Sequence, residues 1–362
     1  MSSGQRFSRR DLLSGGSAAA AMAVLAAPST QVLAAVQATA VDVDRLIHPE
    51  LVPAAAQMRD MAKSFPPLSA STIGEFRQGM TRWKQPLLPD VPVEKRGAPV
   101  GTGEPEVAVY VVNARPGSDR PAILHTHGGG YFMGAADQDV PGLQKIAREL
   151  DCVCVTVDYT LAPEARWRTS TKQNYAGLKW LYQHAGELGV DRSRIALLGE
   201  SAGGGHAALL AIAARDRGEV PLVAQVLVYP MLDDRTASTH PVPAHIGSLV
   251  WTGEFNRFGW RSFLGVEPGA PGVPSAAVPA RAHDLAGLPP AFIGVGAIDL
   301  FVEEDVEYAH RLIRAGVPTE LLVVPGAFHG FDMIAAETRV AREFTAAKLG
   351  ALKRAFGIAP GA

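Results

Sequence analysis

The sequence predicts an α/β protein built on a mostly parallel sheet covered by helices on both faces. Three observations lead there. From Glu106 onward, short apolar runs alternate with helical stretches, as expected of strands buried on both sides by crossover helices. The run Ile195–Leu198 passes through a glycine turn into an alanine-rich stretch, Ala207–Ala214. Ser201, Asp299 and His329 each follow an apolar run. All three therefore fall at the carboxyl ends of strands, where open sheets of this class carry their sites.

Composition narrows the function classes. The chain has 362 residues, 47% hydrophobic and 19% charged, which is ample for a large core. The formal net charge is −2 and no basic stripe is present, which argues against a nucleic-acid partner. Cys152 and Cys154 stand at i and i+2 of an apolar run, a poor geometry for a bridge, and read as core side chains. No Cys/His cluster has zinc-site spacing, so no metal is expected.

The first segment reads as an address. Ser8-Arg9-Arg10-Asp11-Leu12-Leu13 precedes a small, weakly apolar stretch, Ser14–Ala27, with small residues again at Ala34 and Ala35. This resembles a twin-arginine signal peptide over residues 1–35. The remaining 36–362 read as one α/β domain. Export machinery would then be a partner in transit, and the mature protein would be periplasmic or secreted. The alternatives are a chance Arg-Arg, or an uncleaved membrane anchor, for which the stretch is short.

The elements follow in order. Over Asp44–Trp83, Leu51, Ala55, Met58, Ala62 and Phe65 recur at helical spacing, and Ile73, Phe76, Met80 and Trp83 continue after Pro66-Pro67. Thr72 and Glu75 fit a capping box. This helical pair either packs on the main domain or forms part of a lid. Pro86, Pro89 and Pro92 mark a linker. Strands are expected at Val107–Val112, Ala122–Thr126, Cys152–Val157, Ile195–Leu198, Val223–Val228, Ala291–Val295 and Glu320–Val324. Helices are expected at Gln173–His184, Phe301–Arg314 and Glu337–Phe356. Residues 235–285 break the alternation with Trp251, Phe255, Phe258, Trp260 and Phe263 among prolines and glycines. They read as an insertion folding over the sheet edge with the N-terminal helices. An exposed last strand could pair with another copy, giving a possible homodimer.

The chemistry concentrates in two loops and two later residues. Gly199-Glu200-Ser201-Ala202-Gly203 is G-x-S-x-G between a strand and a helix, which exposes the serine hydroxyl on a sharp turn. The alternative is a helix-capping serine. Acyl transfer by serine also needs a base, an acid to orient it, and donors for the oxyanion. His329, in a glycine turn after the last strand, suits the base. Asp299 suits the acid, with Glu303, Glu304, Asp305 and Asp233 as rivals. Either residue could instead cap a helix. His127-Gly128-Gly129-Gly130 matches an oxyanion loop, with the N–H groups of Gly129, Gly130 and Ala202 as donors and His127 and Gly128 supporting the loop. A dinucleotide loop is the rival reading, but G-x-G-x-x-G is not matched.

Several of these motifs, in this order, resemble the hormone-sensitive-lipase-like family of microbial carboxylesterases. His127–Tyr131, Asp158–Glu164, Gly199–Gly204, Tyr229-Pro230, Asp299–Glu304 and His329-Gly330-Phe331 carry the resemblance. Thr160, Glu200 and Leu300 depart from it, standing where arginine, aspartate and proline are usual. The resemblance implies an α/β-hydrolase fold with a helical cap from about 41–95 and 235–285. It implies cofactor-free hydrolysis of small, short-acyl esters through an acyl-enzyme. A lactone, an amide or an acetylated sugar would use the same machinery. A catalytically silent binding protein is the remaining alternative.

Overall fold

The computed structural model describes residues 41–81 and 85–359. The expected signal peptide, Trp83 and the side chain of Met80 lie outside what is described.

Among the described residues, eight strands form one sheet in the order β1-β2-β4-β3-β5-β6-β7-β8. They are β1 (Val93–Ala98), β2 (Val107–Val112), β3 (Arg120–Thr126), β4 (Val153–Val157), β5 (Val190–Glu200), β6 (Ala224–Val228), β7 (Ala291–Gly296) and β8 (Thr319–Val324). β2 is antiparallel to both β1 and β4, and β3 to β8 run parallel. All seven expected strands are present. β1 was not expected: Glu94, Lys95 and Arg96 are exposed on this outer strand, so it has no apolar run to betray it.

The alternation of side chains across the pleat divides the core into two layers. On one face, Val153, Val155 and Val157 pack with α5 (Trp167–Gln183), α6 (Ala185–Leu188), α7 (Ala202–Arg217) and α9 (Val302–Arg314). Cys152 and Cys154 point to the other face, against α4 (Ala136–Leu150) and α11 (Arg339–Phe356). Both are buried free thiols, 3.8 Å apart. Each fully buried valine or leucine contributes about 1.5–3 kcal/mol. α4 was not foreseen; Pro141 interrupts its pattern, yet Val140, Leu143, Ala147 and Leu150 lie buried at helical spacing.

The N-terminal helices divide between two tasks. α1 (Val43–Leu46) and α2 (Val52–Ala62) pack on the main domain, with Leu51 and Ala55 in the layer of α4 and α11. The His48 N–H donates to Gly326 O at 2.9 Å, and Glu50 accepts from the Val340 N–H at 3.2 Å. Gly326 has φ +67, and a Cβ there would lie 2.3 Å from Leu46 O, so the two segments touch through backbone. α3 (Ile73–Thr81) instead crosses the carboxyl edge of the sheet. Its Arg77 donates to Phe132 O at 2.7 Å and Ala162 O at 2.9 Å, and pairs with Glu164 at 2.6 Å. The Thr72 hydroxyl accepts from Ser69 N–H and donates to Pro67 O, in place of the expected capping box.

The 235–285 segment contains α8 (Gly253–Leu264), started by Thr252 as N-cap and ended by Gly265 in the left-handed conformation. Its Trp260 and Phe263 join Ile73, Tyr131, Phe132 and Trp251 in a third apolar cluster over the sheet edge. Within the expected 41–95 portion of the cap, α3 and Leu68 just before it take part in this layer. α1 and α2 belong to the base, and residues 93–95 begin β1. The remaining short helix, α10 (Phe331–Ile334), follows the turn at Gly330.

Candidate active site

β5 ends at Glu200 and α7 begins at Ala202, leaving Ser201 as the hinge with φ 56 and ψ −123. No L-residue adopts this conformation without strain, of order 1–3 kcal/mol. The surroundings hold it: the Ser201 N–H donates to Val228 O, and its carbonyl accepts from the Met231 N–H, both at 2.9 Å. The hydroxyl is thereby lifted off the sheet edge.

His329 lies in the turn between β8 and α10, with Nε2 3.0 Å from Ser201 Oγ and Nδ1 2.8 Å from Asp299 Oδ2. A carboxylate only accepts, so Nδ1 carries the proton, and Nε2 of the neutral ring is free to accept from the serine hydroxyl. The other Asp299 oxygen accepts from the Phe301 N–H at 3.0 Å, which fixes the carboxylate plane. All three side chains are buried. The rival acids are engaged elsewhere or face away. Glu304 accepts from the Leu232 and Asp233 N–H groups and from the Thr236 hydroxyl; burial pushes its carboxyl well above the usual range. Asp233 pairs with Arg235 at 2.8 Å. Glu303 is exposed, and Asp305 is buried without a hydrogen-bond partner for its carboxylate.

The glycine loop after β3 lies beside Ser201: a Cβ on Gly128 would stand 3.5 Å from that of Ser201. Gly129 (φ +110) and Gly130 (φ +59) turn the chain, and among the described residues no protein group accepts from their N–H groups or from that of Ala202. His127 sits behind the loop. Its Nδ1 donates to Gly128 O at 2.8 Å, its ring stacks on Tyr159 at 4.1 Å, and the Tyr159 hydroxyl donates to its carbonyl. Burial pulls its pKa down to about 4, so the ring is neutral near pH 7. His206, one turn into α7, is packed against Tyr131, Tyr159 and Phe263, with both ring nitrogens unpartnered; burial pulls it down to about 3.

Aromatic side chains cover the site. The Trp251 ring lies 6.0 Å from that of His329 and 6.1 Å from that of Phe132, and Phe301 packs edge-on to His329 at 5.3 Å. A groove of about 1210 Å³ runs along α5 and α7 past Trp167, Tyr175 and Arg217, but neither Ser201 nor His329 lines it.

A buried polar group lies beneath the site, and nothing in local sequence pattern announces it. Glu200 Oε2 is 2.7 Å from His125 Nε2, and His125 Nδ1 is 2.9 Å from the Thr156 hydroxyl. Burial lowers the His125 pKa, but the Glu200 carboxylate outweighs it and the net shift is upward. Lys348 of α11 reaches Glu200 at 3.9 Å and Asp332 at 3.6 Å. Asp332 accepts from the Tyr229 hydroxyl at 2.8 Å, and the Tyr229 ring stands edge-on to His329 at 4.6 Å.

The three departures from the family pattern have distinct environments. Thr160 is exposed and exchanges hydrogen bonds with Gln173. Glu200 joins the buried group. Leu300 is fully buried against the backbone of Gly247.

Comparison with known proteins agrees with this geometry. A family model described as alpha/beta hydrolase fold matches residues 123–333, more than half of the chain. Carboxylesterase NlhH of Mycobacterium tuberculosis is 36% identical over 283 residues, covering 74% of this chain and 84% of that protein. Esterase LipI of the same organism is 33% identical, over 75% and 84% of the two chains. Among solved structures, a bacterial heroin esterase superposes with a TM-score of 0.79 at 33% identity, over 87% of this chain and 99% of its own. Esterase LipW from Mycobacterium marinum gives 0.75 at 31% identity, over 86% and 97%. With this fold, these relatives and its serine, histidine and aspartate within hydrogen-bond reach, the chain belongs to the hormone-sensitive-lipase-like family of α/β-hydrolases.

Proposed function

We propose that the protein is a serine carboxylesterase acting on small, short-acyl esters, with Ser201, His329 and Asp299 as its catalytic triad. The observation that carries this is the unbroken chain from Ser201 Oγ through His329 to Asp299 at 3.0 and 2.8 Å. His329 takes the hydroxyl proton as Ser201 attacks the ester carbonyl. The N–H groups of Gly129, Gly130 and Ala202 receive the oxyanion, held in place by His127 and Gly128. His329 then protonates the leaving alcohol. A water, deprotonated by the same ring, releases the acid from the acyl-enzyme. Asp299 keeps the ring in the required tautomer and stabilises its cation.

The rings of Trp251 and Phe301 lie 6.0 and 5.3 Å from that of His329, with Phe132 against Trp251, and this aromatic crowding supports a short acyl group. In this reading α3 and the 235–285 segment form the lid. The protein reaches the periplasm or the medium by the twin-arginine route, and no cofactor takes part. Among the described residues β8 pairs with β7 alone, and its other edge would receive a second copy.

The test is hydrolysis of p-nitrophenyl esters from acetate to dodecanoate by the mature protein, by Ser201→Ala and by Trp251→Ala. Short esters should be preferred. Ser201→Ala should abolish turnover, and Trp251→Ala should move the preference to longer chains. Full activity of Ser201→Ala would end the proposal. Cell fractionation with sequencing of the mature N-terminus tests the location.

A further inference from the structure

The buried polar group under the site links two pieces of chain that must stay in register. Glu200 is joined by one peptide bond to Ser201. Asp332 lies three residues after His329, in the first turn of α10. Lys348, 7% exposed on α11, lies between them at 3.9 Å from Glu200 and 3.6 Å from Asp332. A second path runs parallel to it. Val228 O accepts from the Ser201 N–H, and the next residue, Tyr229, donates to Asp332 and sets its ring edge against His329. Both links between the serine hinge and the histidine turn meet at Asp332.

We infer that Lys348 is a positioning residue for the reaction: its ammonium ties the serine hinge to the histidine turn through Glu200 and Asp332 and balances their charge beneath the imidazole. This rests on the triad reading given above. The other groups facing the cluster are His125 and Thr156 from β3 and β4, and Asp137 and Asp139 from the first turn of α4. Burial raises the Asp139 carboxyl to about 6, so part of the negative charge in this region is quenched by protonation below that pH. The Lys348 ammonium faces Glu200 and Asp332 from the α11 side. A buried ion group stripped of one partner leaves an uncompensated charge, and the neighbouring imidazole responds to it.

The charge argument predicts shifts of opposite sign. Lys348→Met leaves Glu200 and Asp332 unbalanced and favours the imidazolium, so the acid limb of kcat/KM should move up by about half to one pH unit. Asp332→Asn keeps an acceptor for Tyr229 but removes a negative charge, so the limb should move down by a similar amount. Lys348→Met should also lower kcat about ten- to a hundredfold with KM within about threefold, because misplacement of a reacting pair is felt in the transition state. Loss of packing alone would lower the melting temperature and leave the limb in place.

The experiment measures pH profiles on p-nitrophenyl acetate together with the rate at which diethyl p-nitrophenyl phosphate labels Ser201, for the unsubstituted protein and both variants. Opposite displacements of the limb, with slower labelling of Lys348→Met, establish the positioning role. Equal labelling rates and unmoved limbs in folded variants overturn it while leaving the triad intact. Failure of the unsubstituted protein to be labelled at Ser201 overturns the triad reading and this inference with it. If Lys348→Met does not fold, Asp332→Asn decides alone: a limb that stays in place or moves up overturns the inference.

Discussion

The glycine loop offers a sharp quantitative test, because two adjacent glycines are constrained by different neighbours. A Cβ on Gly129 would lie 2.1 Å from Met133 O, 2.6 Å from Met133 C and 3.1 Å from Gly134 N. Every one of these is backbone, and φ +110 lies outside the left-handed well that other residues visit. Contacts of that kind are not made below about 3 Å, so in Gly129→Ala the loop must shift by roughly 1 Å. A displacement of that size at a positioned group costs about a hundredfold in rate. Loss of an oxyanion donor costs about 2.7–4 kcal/mol, or 10²–10³ in kcat. Gly129→Ala should therefore lose about 10²–10³ in kcat on p-nitrophenyl acetate, with KM within about threefold and a cooperative melting curve. A Cβ on Gly130 would lie 2.0 Å from Trp251 Cη2, the far end of a side chain, at a φ of +59 that alanine tolerates for about 1–2 kcal/mol. Trp251→Leu should then restore much of the rate lost in Gly130→Ala and none of that lost in Gly129→Ala, each measured against Trp251→Leu alone. A folded Gly129→Ala with unaltered kcat would refute the claim that these N–H groups set the rate. Its rescue by Trp251→Leu would refute the assignment of the clash to backbone.

Two further outcomes are expected. Asp299→Asn should retain the fold and KM but lose about 10⁴ in kcat, because an amide favours the wrong imidazole tautomer; a loss below tenfold would shift the orienting role to another acid. His206 is held neutral with its pKa near 3, against about 6.5 unfolded. Below about pH 6.5 the unfolded chain binds the proton that the folded chain refuses, so this residue's contribution to stability is intact above that pH and is lost as pH falls toward 3. Relative to the unsubstituted protein, His206→Leu should gain about 1.4 kcal/mol per pH unit between pH 6 and pH 4 in urea unfolding, with a constant difference above pH 7. Contributions from Asp139 and His125 run the other way but cancel in that difference. A difference that does not change with pH would show that the imidazole is not held neutral.

Legibility in the sequence followed physical locality. The parallel strands are buried on both faces and so read as apolar runs; β1 is an outer strand whose exposed Glu94, Lys95 and Arg96 resemble a loop. The residues proposed as the triad could be picked out because each sits immediately beyond a strand, a position that chain order alone reveals. α4 carried a helical signal in Val140, Leu143, Ala147 and Leu150, obscured by Pro141 and two early aspartates. The group of His125, Glu200, Asp332 and Lys348 had no local signal at all. Its members come from β3, β5, α10 and α11, and only the folded sheet brings them together. Glu200 was visible as a departure from the usual aspartate, but what its carboxylate meets was not.

The contact between the His48 N–H and Gly326 O bears on how the chain can be trimmed. The glycine it grips precedes His329 by three residues, so the segment between α1 and α2 and the reactive turn share one fastening. The proposed leader cleavage near Ala34 or Ala35 would spare it, because it falls about ten residues before Leu46. Cleavage or recombinant truncation beyond His48 would release the turn and should produce a folded but sluggish enzyme. For this protein, the choice of first residue is also a decision about catalysis.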